Sequence, residues 1–556
     1  MGSHTRVSIK KYGIYLAYAP GLDLRHEGLG RYLAAFLKGA GDREDIRFVL
    51  VCPSWSKEGL EDLFHSEGVS KERFELVSPS KKPMVLRVYE AYIARKKRKR
   101  KPGIFKRISN GFAAIKRAAI DHVEHQLVTT DSYSGLILLL IEGAFLASLL
   151  LLFSPIIVLA LIVLFFIKFK FVFKRLMRPF RRYVSRAQGA VGEPKDDAFI
   201  FRLYKRMERI ESERMLRLID NLADVKAWYS PTAFWPAFNK INRPRLMCVP
   251  DVVLSDFPVG FSNVGGERFL QTYEDVRRSI QTGQHYVTYS NAIKWETLVD
   301  QYSIRASNVA VIHHAPNMLN QWVTTRGFAD LEATSLHYSQ TLLGSAMRKS
   351  SNKNYTVGFA NTSFKFIFYA SQFRPNKNLL MLLRAYEFLL RKKYISHKLI
   401  LTGDPERYPA VKKFITEHNL ENDVLCLHGL TVQELAACYK LADLAVNPSL
   451  SEGGCPFTFT EALSVDTPVV MARIAVTEEI LNQPELQDTT FFDPFEWEDM
   501  ACRIEWALSH REELLNLQKN IYQSLIQRTW TDVVNEHITV LESISAGGGN
   551  PLELQA

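Results

Sequence analysis

Cysteine is scarce in this sequence, with six residues in 556, at Cys52, Cys248, Cys426, Cys438, Cys455 and Cys502. None has a paired spacing, which argues against a disulfide framework or a zinc cluster and fits a reducing compartment. An apolar leader is missing too: the N-terminus has no hydrophobic core segment, so secretion is not expected. The composition, 47% apolar and 23% charged, is neither that of a disordered chain nor that of a collagen-like one. A chain of this length has room for two or three domains with sizeable cores.

The net charge of +11 is unevenly placed. Between Lys81 and Arg186 there are 22 Lys and Arg against five acids, so the rest of the chain is net acidic, at −6. The same segment holds the one long apolar run, the 32 residues from Leu136 to Ile167, in which Glu142 is the only ionisable side chain. That run exceeds the ~18 residues of a membrane-spanning candidate. Its flanks, Arg95 to Lys101 on one side and Lys168 to Arg186 on the other, are both basic, so the preference of Lys and Arg for the cytoplasmic side draws both ends inward.

A single straight helix over the run would be about 48 Å long at ~1.5 Å per residue, well beyond a hydrocarbon core of ~30 Å. Pro155 is a natural break, since its ring and missing amide disrupt a helix interior. The expectation is a re-entrant hairpin or a pair of in-plane helices. A buried helix pair is the alternative, though the run shows no polar face. Nucleic-acid binding is disfavoured because the basic residues border apolar sequence rather than interleaved aromatics.

On either side of this segment the pattern is that of alternating strands and helices. Residues 12–19 read as a strand, Gly28 and Gly30 as a loop, and 31–38 as a helix, with Phe48–Cys52 the next strand. After the insertion come a helix over 199–222 and strands at 224–229, Arg245–Pro250, Tyr286–Tyr289 and Val309–Ile312. The second half begins with a strand at Phe366–Ala370 and continues with strands at Lys398–Thr402, 423–427, 443–447 and 468–471, separated by helices. Such alternation calls for parallel sheets covered on both faces. Strands before residue 90 and after residue 220 sharing one sheet would require an even number of membrane crossings between them, or none.

The densest polar cluster, Asn447 to Leu463, follows a strand and precedes a helix, at the rim where open α/β sheets bind ligands. In it Glu452 precedes Gly453 and Gly454, and Glu461 falls in the first turn of a helix expected from about Thr460. A carboxylate there is also favoured simply as a terminus partner. Arg374 and Lys377 occupy another loop at the same rim. Two cations beside a helix start can neutralise a diphosphate, Arg as a fork and Lys as a point charge; a solvated surface pair is the other reading. The Gly28/Gly30 loop alone is a weak phosphate signal, lacking the Lys-Ser/Thr ending of a P-loop and the third glycine of a dinucleotide fingerprint. His313 and His314 read as satisfied structural histidines of the linker between the halves.

Gly28-Leu29-Gly30-Arg31-Tyr32, Arg374 with Lys377-Asn378, Leu401-Thr402-Gly403 and the stretch Ser451 to Val470, in that order, together resemble the retaining glycosyltransferases of family 4, and Trp530 extends the likeness to the closing helix. The resemblance implies a GT-B fold, two doubly wound Rossmann-like domains facing a cleft, with the membrane-associated segment inserted. The divisions expected are 1–85 with 200–340, an insertion at 86–199, a nucleotide-sugar domain at 341–525, a closing helix at 526–548 that crosses back, and a tail at 549–556. It also implies transfer of a hexose from a UDP- or GDP-sugar, without a tightly bound cofactor and without a catalytic metal. Arg374 and Lys377 would clamp the diphosphate, Glu452 would lie by the donor sugar and Glu461 would hold the ribose. Gly403, Gly453, Gly454 and the amides of Cys455, Pro456 and Phe457 would line the donor, while Gly28 and Gly30 let the first domain approach it.

Two departures stand out. Eight residues separate Glu452 from Glu461 where the family usually has seven, which demands a bulge in the loop. A His-Asp pair common in the family is replaced by Pro250-Asp251, leaving Asp251 to hold an acceptor or sugar hydroxyl. Together with the basic apolar segment, these features lead to an enzyme at the cytoplasmic face of the inner or plasma membrane, monotopic or re-entrant. Its acceptor would be a polyprenyl-diphosphate-linked sugar or a glycolipid of cell-envelope assembly, and its other partners anionic lipids. A non-catalytic scaffold of the same fold is the competing class.

Overall fold

The computed structural model describes residues 9–22, 28–84, 86, 87, 90, 91, 141, 148, 199–265, 267–350 and 364–547. The chain divides into two compact units, Lys82–Leu203 and the remainder, Met1–Lys81 with Tyr204–Ala556. The expected hairpin or in-plane helices at 136–167 lie outside the described residues; among those described, no helix is long and apolar enough to cross a membrane.

The larger unit contains two wholly parallel sheets. The first joins β1 (Lys10–Tyr15), β2 (Ile46–Val51), β3 (Phe74–Val77), β4 (Val225–Ser230), β5 (Arg245–Cys248), β6 (His285–Thr288) and β7 (Val309–Val311), in the order 3-2-1-4-5-6-7. The second joins β8 (Phe366–Tyr369), β9 (Lys398–Leu401), β10 (Val424–Cys426), β11 (Leu444–Asn447), β12 (Val469–Ala472) and β13 (Phe491–Phe492), in the order 10-9-8-11-12-13. Their strands are buried nearly throughout, as parallel strands covered on both faces must be. Strand order reverses between β1 and β4 and between β8 and β11, and crevices for ligands open at such switch points. The helix Gly28–Gly39 follows β1, the Arg374/Lys377 loop follows β8, and the 448–456 loop follows β11.

Local sequence explains the tightest contacts. Gly13 in mid-β1 leaves room for the Trp228 indole of β4: a Cβ there would lie 2.2 Å from the ring. Tyr12, Phe36, Phe48 and Tyr229 fill the core on one side of the first sheet. The helix Trp530–Ser545 belongs to this same core through Val533, Val534, Ile538, Leu541 and Ile544, although it follows the second sheet in sequence. Thr529 and Asp532 start it with a reciprocal capping box.

Three sequence expectations need adjustment. The edge strands β3 and β13 carry too little apolar sequence to be announced in advance. The loop expected at Gly28 and Gly30 is already helical, within Gly28–Gly39, because the turn of the chain falls ahead of it; Leu319, Val323, Leu343, Ala346 and Met347, which precede β8, pack in the core of the second sheet. The helix expected from about Thr460 begins at Phe457, directly after Pro456, which lacks the amide that would extend it further back. Glu461 is therefore in the second turn, where the terminus dipole gives no account of it.

Because β1 pairs with both β2 and β4, the strands before and after residues 78–224 share one sheet.

His537 is fully buried in the closing helix, edge-on to Phe36 and Tyr229. Its Nδ1 lies 2.7 Å from the Val533 carbonyl oxygen, which only accepts, so the neutral ring carries its proton there. Nε2 finds no partner among the described residues. Burial pushes its pKa down to about 4. Between that value and the unfolded value of ~6.5 the unfolded chain binds a proton that the folded chain excludes, so stability falls as pH falls through this window. His537→Phe is expected to flatten the decline in melting temperature between pH 6.5 and 5, removing up to about 1.4 kcal/mol per pH unit of the dependence. A variant whose melting curves track the parent's across that range would place the imidazole in water.

Candidate functional site

The loop after β8 is shaped by three backbone choices. Arg374 is extended, Pro375 opens a short 3-10 turn through Lys377, and Asn378 takes a left-handed conformation (φ 52°) before the helix Leu379–Lys392. Asn is among the few side chains that tolerate that region, and here its Nδ2 donates to the Pro494 carbonyl at 2.7 Å. Asn376 is buried, and its carbonyl accepts the Leu450 N–H at 2.8 Å. The 374–378 and 448–456 loops are thus joined side by side.

Lys377 lies at their junction. Its Nζ is 2.7 Å from Glu452 Oε1 and 3.2 Å from Ser449 Oγ. Lys377 and Glu452 are each about one-fifth exposed, so the pair is screened less than a surface pair. Asp251, just beyond β5, faces this group from the first sheet. Burial raises its pKa, the Lys377 charge opposes that rise, Glu452 adds to it and Arg374 opposes it again. Arg374 itself is exposed, its Nη2 donating to Gln372 Oε1 at 2.7 Å.

Backbone contact brings the two rims together. A Cβ on Gly453 would sit 2.0 Å from the Pro250 carbonyl oxygen, and one on Gly454 would lie 2.8 Å from Tyr289 Cβ. Ser290 Oγ accepts the Ile293 N–H and donates to the Gly453 carbonyl at 3.1 Å. The double glycine is therefore needed for the halves to meet. Gly260 does the same against Pro375, at 2.8 Å. Gly403 makes room for the Phe373 ring, whereas Gly28 borders open space among the described residues and Gly30 is buried in the helix Gly28–Gly39.

Glu461 is set apart from the Lys377 group by its partners. It is 4% exposed, and its Oε1 accepts from Asn317 Nδ2 at 2.5 Å, with Arg31 Nη1 4.0 Å away. Burial raises its pKa, and Arg31 and Asn317 hold it down. His314 is half-buried with its ring 4.5 Å from that of Phe457, and desolvation lowers its pKa to about 4; His313 Nδ1 lies 2.8 Å from the Tyr289 carbonyl oxygen. Burial also pushes the Cys455 thiol up to about 12, far from a reactive thiolate. Beside it a cavity of about 410 Å³ is lined by Asn291, His313, Thr460, Glu479 and Arg528 among others.

Sequence reading did not single out Asn317, Ser290 or Glu479. Glu479 accepts the Asn291 and Ala292 amides, each at 2.9 Å, from across the cleft. These pairings join residues more than 140 positions apart, and no local pattern announces them. Arg31 did lie within the glycine motif, but its charge there had no assigned partner. Among the described residues, no group of three or more His, Cys, Asp and Glu is placed to hold a metal ion.

Residues 353–524 match the family model described as glycosyl transferases group 1. The O-antigen chain mannosyltransferase RfbU of Salmonella typhimurium is 22% identical over 248 residues, 44% of this chain and 56% of that protein. The MMP alpha-(1->4)-mannosyltransferase of Mycolicibacterium hassiacum is 26% identical over 173 residues, 31% of this chain and 41% of that protein. The chain thus spans about half the length of the curated relatives it matches. Among solved structures, HepE of Anabaena in complex with UDP and glucose superposes with a TM-score of 0.50 at 12% identity, covering 97% of this chain and all of that one. At that identity the likeness is one of fold. The family match is confined to residues 353–524, and the architecture shared across the chain is that of the GT-B fold.

Proposed function

We propose that this protein is a retaining glycosyltransferase that moves a hexose from a UDP- or GDP-sugar to a lipid-linked or glycolipid acceptor at the cytoplasmic membrane face, in cell-envelope polysaccharide or lipopolysaccharide assembly. The observation that carries the reading is the meeting of Lys377, Glu452 and Asp251 where the carboxyl ends of the two sheets face each other. As the bond from the sugar to the diphosphate lengthens, negative charge grows on the departing nucleotide. A cation fixed at that point stabilises the transition state more than the ground state. Lys377 and Arg374 fill this role, Glu452 and Asp251 take sugar or acceptor hydroxyls, and Glu461 accepts from the ribose. The amides of Gly453 to Phe457 lie along the diphosphate, with Gly28 and Gly30 approaching from the first half.

The acceptor class rests on the basic apolar segment. Each Lys or Arg near an anionic bilayer adds ~1 kcal/mol of attraction, so 22 of them suffice for association. One of the relatives bears the name of an O-antigen chain mannosyltransferase, which is in keeping with a hexose and an envelope glycan.

Incubation of the purified protein with a panel of UDP-, GDP- and dTDP-sugars and membrane extract, followed by linkage analysis, is expected to give transfer from one donor with the anomeric configuration kept. Lys377→Ala should lower that activity by ~100-fold or more while leaving the melting temperature within a few degrees, on the scale of losing one transition-state contact. Activity within twofold of the parent would remove Lys377 from the mechanism. Gly453→Ala should separate the halves, because the backbone atom it meets cannot move aside as a side chain would; loss of turnover with an intact fold is the expected result. Deleting residues 131–186 should release the protein from anionic liposomes, and tight binding by that deletion would assign the anchor elsewhere.

A further inference from the structure

Glu461 is the most deeply buried carboxylate of the cleft, and two of its partners come from outside the sheet that carries it. Asn317 belongs to the segment that crosses from β7 toward the second half, and Arg31 to the helix Gly28–Gly39 of the first half. Both approach the same oxygen, Oε1, and the Tyr439 phenol is a further hydrogen-bond partner of the carboxylate. The Asn317 amide N–H also points at Thr460 Oγ1 at 3.4 Å, one residue before Glu461, and the Leu319 N–H reaches Ser464 Oγ at 2.9 Å. The crossing segment is thus fastened along the helix Phe457–Leu463 on both sides of the carboxylate.

Resting on the functional reading above, we propose that Arg31 and Asn317 are positioning residues for Glu461: they orient its carboxylate for the ribose of a nucleoside diphosphate, and Arg31 does so only when the two halves are close. Arg31 is 43% exposed at its side chain and its guanidinium is at the outer limit of an ion pair, so it adjusts the carboxylate rather than anchoring the fold. Asn317 supplies the short, directed bond. Closure of the cleft and readiness of the ribose site are thereby a single event.

Acid sensitivity follows from this arrangement. The titratable and charged groups facing Glu461 are Arg31 from the first helix and the Tyr439 phenol from the helix Val432–Leu441. Burial raises the carboxyl pKa while Arg31 and Asn317 lower it, so the carboxylate that accepts the ribose hydroxyl is lost as pH falls, and it is lost at a higher pH once Arg31 is gone.

Calorimetric titration of the full-length protein with UDP and with GDP, from pH 5.5 to 8, tests this. Arg31→Ala and Asn317→Ala are each expected to weaken the preferred nucleotide about tenfold at pH 7, the scale of one hydrogen bond to a charged group. The acid limb of binding should move to higher pH in Arg31→Ala and return toward the parent in Arg31→Lys. Glu461→Gln with Arg31→Ala should lose no more affinity than Glu461→Gln alone. Affinities within twofold of the parent at every pH would overturn the proposal. So would a double variant weaker than Glu461→Gln, since Arg31 would then touch the nucleotide independently. If the parent itself bound neither UDP nor GDP, the functional reading would fall first and take the proposal with it.

Discussion

Two parallel sheets whose loop-bearing ends face each other can form a ligand cleft only if charged groups from both rims approach without being stranded away from water. A lone buried carboxylate costs several kcal/mol even after the surroundings relax. Glu461 meets this constraint with a short bond from Asn317 and a guanidinium nearby; Glu452 meets it with Lys377; Glu479 does so with amides of the opposite half. In each case a carboxylate of the second half is satisfied at or across the junction. The glycines at 453 and 260 matter for the same reason, because they allow the backbones to come close enough for these bonds to form.

The positions of the cleft loops follow from topology rather than from any single motif. Strand order reverses beside β1 and beside β8, and the chain segments leaving those strands are pulled apart there. The 374–378 and 448–456 loops both leave the reversal of the second sheet, after β8 and β11, the first carrying Arg374 and Lys377 and the second Gly453 and Gly454. Joining them through the Asn376 carbonyl and the Leu450 amide turns two separate sequence signals into one surface.

Most of this framework was readable in advance, because buried parallel strands are short apolar runs between helices of opposite character. The exceptions have physical causes. β13 is only two residues long and β3 lies at the sheet edge, so neither needs a long apolar stretch. The helix Leu331–Met347 buries Ser335 and Ser339 while exposing Leu336 and Tyr338, so its polarity pattern gave no sign of which core it joins. Glu461 could be picked out, but its partners could not: Asn317 and Arg31 reach it through tertiary folding alone. The candidate side chains were legible, whereas the partners that the fold brings to them from the other half were not.

The closing helix has a bearing on biogenesis. Val533, Val534, Ile538 and Leu541 complete the hydrophobic layer under β1 and β4, yet these residues emerge from the ribosome after every strand of both sheets. The second Rossmann unit can fold during synthesis from contiguous sequence, while the first must wait with an uncovered apolar face until the helix Trp530–Ser545 has been made. Until that helix is made, Phe36, Phe48 and Tyr229 have no cover on its side, so the first half is the part of this unit that leans most on protection during synthesis.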